Sequence, residues 1–300
     1  MARRREPKRL TVFVLGAGKV GAGLARALVR AGVPTTLRPA RKGLPRTAIR
    51  ASVVVLAVRD RDLEPLAGRI RDAGAVAKDC VVVHVSGALG AEPLASLKGV
   101  CAGVGQMHPM ISFASRRTTP ALARGQVRVA GDPAAVTRAR RLAARLGMTA
   151  RTLPGLDTVA YHAAAGLVAN GAAALAAIGA ELLVRGGVPP AIAPKMLGPL
   201  LRSVADNVEA LGFPEALTGP VRRGDARGVE KHLETLRAKL PGAVPLYLAA
   251  AAAQLPLARA IGDAPTESFD EIKRLILQAA RSTPSSPPSS GEGGGTPQRQ

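Results

Sequence analysis

A glycine triplet set between a strand-like run and a helix-like run narrows the possible folds more than anything else in this chain. Residues 10–15 (Leu-Thr-Val-Phe-Val-Leu) are short, apolar and β-branched; Gly16-Ala17-Gly18-Lys19-Val20-Gly21 follows at once, and Val20–Ala31 has helical spacing. Strand, G-x-G-x-x-G turn and helix in that order are the fingerprint of a dinucleotide-binding βα unit. Gly16 permits the tight turn out of the strand, Gly18 lets backbone approach a pyrophosphate, and Gly21 lets the helix pack closely on the sheet. The helix start then turns free N–H groups and about half a positive charge toward the phosphates. Glycines also occur in ordinary turns; the strand before and the helix after are what favour the phosphate cradle.

The rest of the first half keeps this alternation. Thr35–Leu37 reads as a second strand. Ser52–Val58 and Cys80–Val85 are continuous apolar runs, the mark of parallel strands covered on both faces. Val100–Val104 and Gln126–Ala130 read as further strands. Leu63–Gly74 and Pro133–Leu146 carry helical spacing, the latter behind Asp132 as a cap and Pro133 at the first helical position. An α/β, Rossmann-type, open, doubly wound parallel sheet is predicted over residues 10–153, after a basic tail at 1–9. Beyond Pro154 the strand patterns stop. Asp157–Val184, Pro189–Leu211, Asp225–Leu240, Pro245–Ile261 and Glu267–Ala280 read as helices, so an all-α domain is predicted over 154–280. Residues 281–300 have no large apolar side chains to bury and are predicted to be a disordered tail.

Composition excludes some classes of function. The formal charge is +21, with basic residues concentrated at Arg3–Arg9, Arg38–Arg50 and Arg116–Arg151. Aromatics are only 2% and Trp is absent, which argues against stacking of single-stranded bases. Incidental surface charge, or binding of small anions, is the preferred reading over nucleic acid. Cys80 and Cys101 show neither disulfide nor metal spacing and read as buried free thiols. The four histidines (84, 108, 162 and 232) lack metal-site spacing, so no metal is expected. From Thr158 to Ala180 there is no Asp, Glu, Lys or Arg, a stretch long enough to span a bilayer. It is built of Ala and Gly and contains His162 and Asn170, which give little insertion free energy. A helix buried on all sides, with no membrane, is the expectation. No apolar signal region follows the N-terminal charges, so a reducing cytoplasm is expected.

About twenty residues past the glycine loop, an NAD site would place an acid on the ribose 2′-hydroxyl. Here stands Leu37-Arg38-Pro39-Ala40-Arg41-Lys42, with none. Arg38, with Arg41 or Lys42, favours the 2′-phosphate of NADP; one charge-assisted contact is worth roughly 1.5–3 kcal/mol, about a 10- to 100-fold preference. Solvated basic residues after a strand are the alternative. Ala57 and Val58 end one apolar run, and Ser86 and Gly87 follow another, at the carboxyl strand ends where ligands of open sheets bind. These four are placed with the cofactor. His84 and His108 are candidates for substrate or nicotinamide contact, a structural role being the alternative for each.

In the second half, His162, Gly166 and Asn170 fall at i, i+4 and i+8 on one helix face, with His162 and Asn170 about 12 Å apart along the axis. Gly166 leaves a hollow in which a small substrate would find donors on both sides. The alternative is a helix with Gly for close packing and two satisfied polar residues. Thr218-Gly219-Pro220 reads as a tight turn and Asp225 as an N-cap. Between them, Arg222 and Arg223 either clamp a substrate carboxylate or phosphate or form structural salt bridges.

Taken together, the motifs resemble the Domain of Unknown Function 2520 family, in which a Rossmann-like domain precedes a helical one. The resemblance runs from about Leu10 to Ile261. It rests on Gly16–Gly21, His84-Val85-Ser86-Gly87-Ala88, Met107-His108-Pro109-Met110 with Phe113, Tyr161-His162-Ala163, Asn170, Asn207, Leu217–Asp225 and His232. That family is similar to the group sharing the helical domain of 6-phosphogluconate dehydrogenase, with pyrroline-5-carboxylate reductase, ketopantoate reductase and prephenate dehydrogenase as relatives. The resemblance implies a reductase or dehydrogenase scaffold, a homodimer through the helical domain, an active site between domains, and Tyr161 and Asn207 among the substrate contacts. The lysine that 3-hydroxyacid dehydrogenases use beside an asparagine is missing; His162 occupies a comparable place. The expected reaction is hydride transfer between NADP(H), preferred over NAD(H), and a small carbonyl, alcohol or imine, with an anionic substrate. His162 is the candidate general acid, since imidazole titrates near neutrality. Asn170 is the candidate donor to a developing alkoxide. A non-catalytic NADP(H)-binding sensor or partner-binding module is the rival reading.

Overall fold

The computed structural model describes residues 9–282. The β-branched runs become strands and the periodic runs become helices: β1 (Val12–Leu15), α1 (Lys19–Arg30), β2 (Thr35–Arg38), β3 (Val53–Leu56), α2 (Asp60–Asp72), β4 (Val81–His84), β5 (Gly103–Pro109), β6 (Gln126–Gly131), α3 (Pro133–Arg145) and β7 (Thr149–Arg151). One sheet runs in the order β2-β1-β3-β4-β5-β6-β7. Strands β1 to β5 are parallel, with Val12 opposite Val53 and Val81 opposite Gly103.

The wholly parallel sheet expected from sequence stops there, because β6 lies antiparallel to β5, with Met107 opposite Val129. A parallel neighbour needs a crossover, usually a helix, and residues 110–125 form no helix. The chain therefore returns directly beside the strand it left. β7, parallel to β6, is a three-residue strand, Thr-Ala-Arg, too short and polar to be seen by periodicity.

Burial follows the continuous apolar runs. All four residues of β3 and all four of β4 are buried. Leu24, Leu28, Ala139 and Leu142 of α1 and α3 cover one face of the sheet. Leu63, Leu66 and Ile70 of α2, with Leu94 and Leu97 from a 3₁₀ turn at Glu92–Leu97, cover the other. From β1 the sheet extends to β2 on one side and to β3 on the other. A crevice opens where the connections diverge in this way, at the carboxyl end of the strands.

The remaining helices are α4 (Thr158–Arg185), α5 (Ala193–Leu211), α6 (Ala226–Lys239), α7 (Val244–Ile261) and α8 (Thr266–Arg281). The chain divides into two compact units, Met1–Ala169 and Asn170–Gln300, so the first turns of α4 go with the sheet. In the second unit, Val229 and Leu233 of α6, Leu248 and Leu255 of α7, and Phe269 and Ile272 of α8 form the core. Asp225 caps α6 by accepting the Gly228 N–H at 2.8 Å, as its position predicts. By contrast α4 is not the helix buried on all sides that its composition suggests: none of its residues is buried, and α5 buries only Ala193. An Ala/Gly-rich surface marks a helix for close packing without saying what packs on it. By length and composition alone α4 also passes as a membrane span. Except for Arg9, Arg281 and Ser282, the expected basic and disordered tails lie outside the described residues.

Candidate active site

The glycine loop is built by steric necessity at two of its three glycines. Gly16 has φ +118°, and a Cβ there would overlap the carbonyl oxygen of Ala57; a Cβ on Gly21 would overlap that of Gly16. Gly18 is different, since a Cβ there would meet nothing within 4 Å. The chain itself does not demand glycine at 18, whereas close approach of a ligand to the backbone would. Gly18 is the N-cap of α1 and offers no side chain to its N–H groups, which leaves the first turn free to bind an anion.

Residues 16–20 form one wall of a cavity of about 960 Å³. Ala57 and Val58 after β3, and Ser86 and Gly87 after β4, continue it, and His108 and His162 stand in the same cavity. Arg41 also lines it. Arg38 does not serve as expected: its Nε donates to Gly43 O at 2.8 Å and its Nη2 to Lys42 O at 2.8 Å, fastening the 3₁₀ turn Ala40–Lys42 that carries Arg41. Lys19, Arg59 and Arg116 add positive charge to the lining, and Asp60 and Asp62 add negative. The glycine cradle, the open helix start and these cations suit a dinucleotide, and the end of β2 bears no carboxylate that would repel a 2′-phosphate.

His108 and His162 of this cavity belong, with Tyr161, to a cluster of rings. The His108 Nδ1 lies 3.0 Å from the Tyr161 hydroxyl, and the His108 and His162 rings are 6.1 Å apart, edge to face. Gly87 is wedged against both: a Cβ on it would stand 2.6 Å from His162 Nδ1 and 2.8 Å from His108 Nε2. Burial, followed by the charges of His162 and Arg128, pushes the His108 pKa down to about 4. Burial likewise raises the Tyr161 phenol above its ordinary value. His84, fully buried, works inside the chain. Its Nδ1 accepts the Ser86 N–H at 3.2 Å and its Nε2 bonds the Gly90 carbonyl, so both ring nitrogens shape the turn that carries Gly87. Burial lowers its pKa.

The other sequence candidates belong to the second unit. Asn170 is exposed on α4 and Asn207 half-buried on α5. Arg222 is occupied structurally, with Nε 2.6 Å from Asp263 Oδ2 and Nη1 2.8 Å from Leu217 O, while Arg223 is exposed. His232 pairs with the Tyr247 hydroxyl at 3.1 Å. Cys80 is buried and Cys101 half-buried, both as free thiols. Among the described residues no group of three His, Cys, Asp or Glu side chains could hold a metal.

Sequence reading missed Gln106, Arg128, Arg59, Asp60 and Arg116. Gln106 carried one available signal, since it alternates with His108 along β5 and so shares its face. Arg128 carried none, because a charged residue in a short strand is ordinarily an exposed one.

Residues 2–109 match the model of the Rossmann-like domain, and residues 126–254 match that of the domain of unknown function DUF2520. Among solved structures, a Bacteroides fragilis protein assigned as an NADP oxidoreductase is similar at 19% identity and TM-score 0.63, over 82% of this chain and 97% of that one. A pyrroline carboxylate reductase from Plasmodium falciparum with NADP bound is similar at 11% identity and TM-score 0.54, covering 92% and 99%. An imine reductase from Myxococcus stipitatus in complex with NADP+ is similar at 16% identity and TM-score 0.52, covering 91% and 94%. No curated protein matches the chain. At these identities the likeness speaks for the fold, and each family model is similar to its own part of the chain, the Rossmann-like domain to residues 2–109 and DUF2520 to residues 126–254.

Proposed function

We propose that the protein is an NADP-dependent oxidoreductase that transfers a hydride between the nicotinamide and a small anionic carbonyl, alcohol or imine. One observation carries this reading: residues 16–20, with the steric signature of a phosphate cradle, share a cavity with His108 and His162. When bound, the nicotinamide supplies the hydride. The chain's own part is to orient the reactants and to deliver a proton. Tyr161 keeps its proton because burial disfavours the phenolate, and its hydroxyl is hydrogen-bonded to Nδ1 of a His108 that burial keeps neutral. His162 opens to the cavity and is the group assigned to give up the proton, the role imidazole fills most often in general acid catalysis. Arg41, Lys19, Arg59 and Arg116 would hold the phosphates and an anionic substrate. The NADP carried by the Plasmodium and Myxococcus proteins supports the choice of cofactor.

The test is a parallel titration with NADPH and NADH by nicotinamide fluorescence. NADPH should bind about tenfold tighter or better; failure of a folded protein to bind either would overturn the reading. His162→Ala should retain NADPH binding and lose turnover of small keto acids or imines, whereas a protein that only senses the nucleotide would have no turnover to lose.

A second copy of this chain is the occupant we propose for the exposed faces of α4 and α5. Met196, Leu200, Val204, Val208 and Leu211 form one stripe along α5, from 36% to 58% exposed. Such a stripe on a monomer is unusual unless a partner covers it. Residues 1–8 and 283–300 contain no Leu, Ile, Val or aromatic residue with which to cover it.

A further inference from the structure

Strand register sets a row of polar side chains across one buried face of the sheet. His84 on β4 is opposite Gln106 on β5, and His108, two residues on, is opposite Arg128 on β6. The face is otherwise apolar, with Val82 and Val104 in the core below the row. Arg128 is 7% exposed and Gln106 is 1% exposed. The Arg128 Nη1 donates to the Gln106 Oε1, a neutral amide, and its Nε has no partner. A guanidinium buried against a neutral group costs more than an apolar side chain of the same shape would, so stability alone does not account for it.

The chain of contacts leads to the site. With its carbonyl oxygen held by Arg128, Gln106 is fixed with its amide nitrogen turned the other way, where Nε2 donates to Ser86 O and to Leu89 O, both at 2.7 Å. Those carbonyls bracket the turn that presses Gly87 against His108 and His162. Left unpaired, an amide can flip; bonded to a cation at its oxygen, it cannot do so without burying an N–H against a guanidinium.

We propose that Arg128 is a positioning residue of this site: through Gln106 it locks the Ser86–Leu89 turn, and with it the spacing of Gly87, His108 and His162. The proposal rests on the reading of this cavity as the cofactor and catalytic site. It goes beyond that reading in assigning a function to a side chain that does not line the cavity. Arg128 also acts on the ring cluster through its charge. His108 is faced by Tyr161 and His162 from α4, Asp60 from α2, His84 from β4 and Arg128 from β6, so removing the Arg128 cation makes protonation of His108 easier.

The experiment compares Arg128→Met, Arg128→Lys and Gln106→Glu with the wild type in three measurements. These are amide hydrogen exchange along the chain, NMR titration of the His108 ring, and NADPH affinity. Arg128→Met should speed exchange at Ser86–Leu89 by about tenfold or more while β1 and α1 keep their protection. It should raise the His108 pKa and weaken NADPH binding about tenfold, and Arg128→Lys should restore most of each. Gln106→Glu keeps a partner for Arg128, now as an ion pair that offsets part of the cost, but turns an acceptor toward two carbonyls, so it should free the same turn. This variant decides the matter if Arg128→Met does not fold. Unchanged exchange at Ser86–Leu89, or loosening spread evenly over the sheet, would overturn the proposal. Absence of NADPH binding in the wild type would instead strike at the functional reading, and the exchange and titration data would still judge Arg128.

Discussion

His108 and Tyr161 are joined by a 3.0 Å contact between Nδ1 and the phenolic oxygen, their rings edge to face at 5.5 Å. The pair links the carboxyl end of β5 to the first turns of α4, and it places one neutral imidazole and one protonated phenol beside His162. Burial of the two groups favours the neutral form of each.

That condition gives a pH prediction. The His108 pKa is pushed from 6.5 to about 4, chiefly by burial, and that of His84 moves the same way. A proton is therefore taken up first by the unfolded chain, so stability is full above about pH 6.5 and falls as pH drops toward 4. The loss due to His108 is at most roughly 3 kcal/mol. Denaturant unfolding across this range should show it, and His108→Gln should flatten the slope. Equal slopes in the two proteins would mean that His108 is not buried as a neutral ring.

Glycine replacement in the loop should separate folding from binding. Gly21→Ala drives a Cβ into the Gly16 carbonyl, between two backbone segments that cannot give way, at a cost of about 2–3 kcal/mol. Gly18→Ala meets nothing in the chain and should leave the melting temperature nearly unchanged while weakening NADPH about tenfold or more. If Gly18→Ala binds NADPH like the wild type, no ligand approaches that backbone.

The two arginines after β2 should differ in kind. Arg41→Ala should weaken NADPH about tenfold and NADH little, since it removes a cation without disturbing the turn. Arg38→Ala should lower stability and weaken both nucleotides, because it releases the Gly43 and Lys42 carbonyls that Arg38 holds. Equal NADPH and NADH losses in Arg41→Ala would remove Arg41 from 2′-phosphate recognition.

If a second copy covers α5, Leu200→Glu with Val204→Glu should yield a folded monomer by light scattering, where the wild type gives a dimer. Wild-type protein that is already monomeric at micromolar concentration would exclude this use of the face.

The sequence by itself determined what local sterics and periodicity control. The glycine turn, the buried Val runs of β3 and β4 and the five later helices are written in spacings of two and 3.6 residues and in positions where a Cβ cannot fit. Helix ends agree within a few residues, and Asp225 caps where its position said it would. Tertiary structure alone decided the rest. Whether β6 runs parallel or antiparallel depends on what residues 110–125 do not form. Arg38 and Arg41 look alike in sequence, yet one meets three carbonyls and the other the cavity. The burial of Gln106 and Arg128, and the exposure of an Ala/Gly-rich α4, depend on which distant surfaces arrive opposite them. No window of sequence contains that information, because the free energy of a side chain in the fold belongs to its contacts as much as to its type.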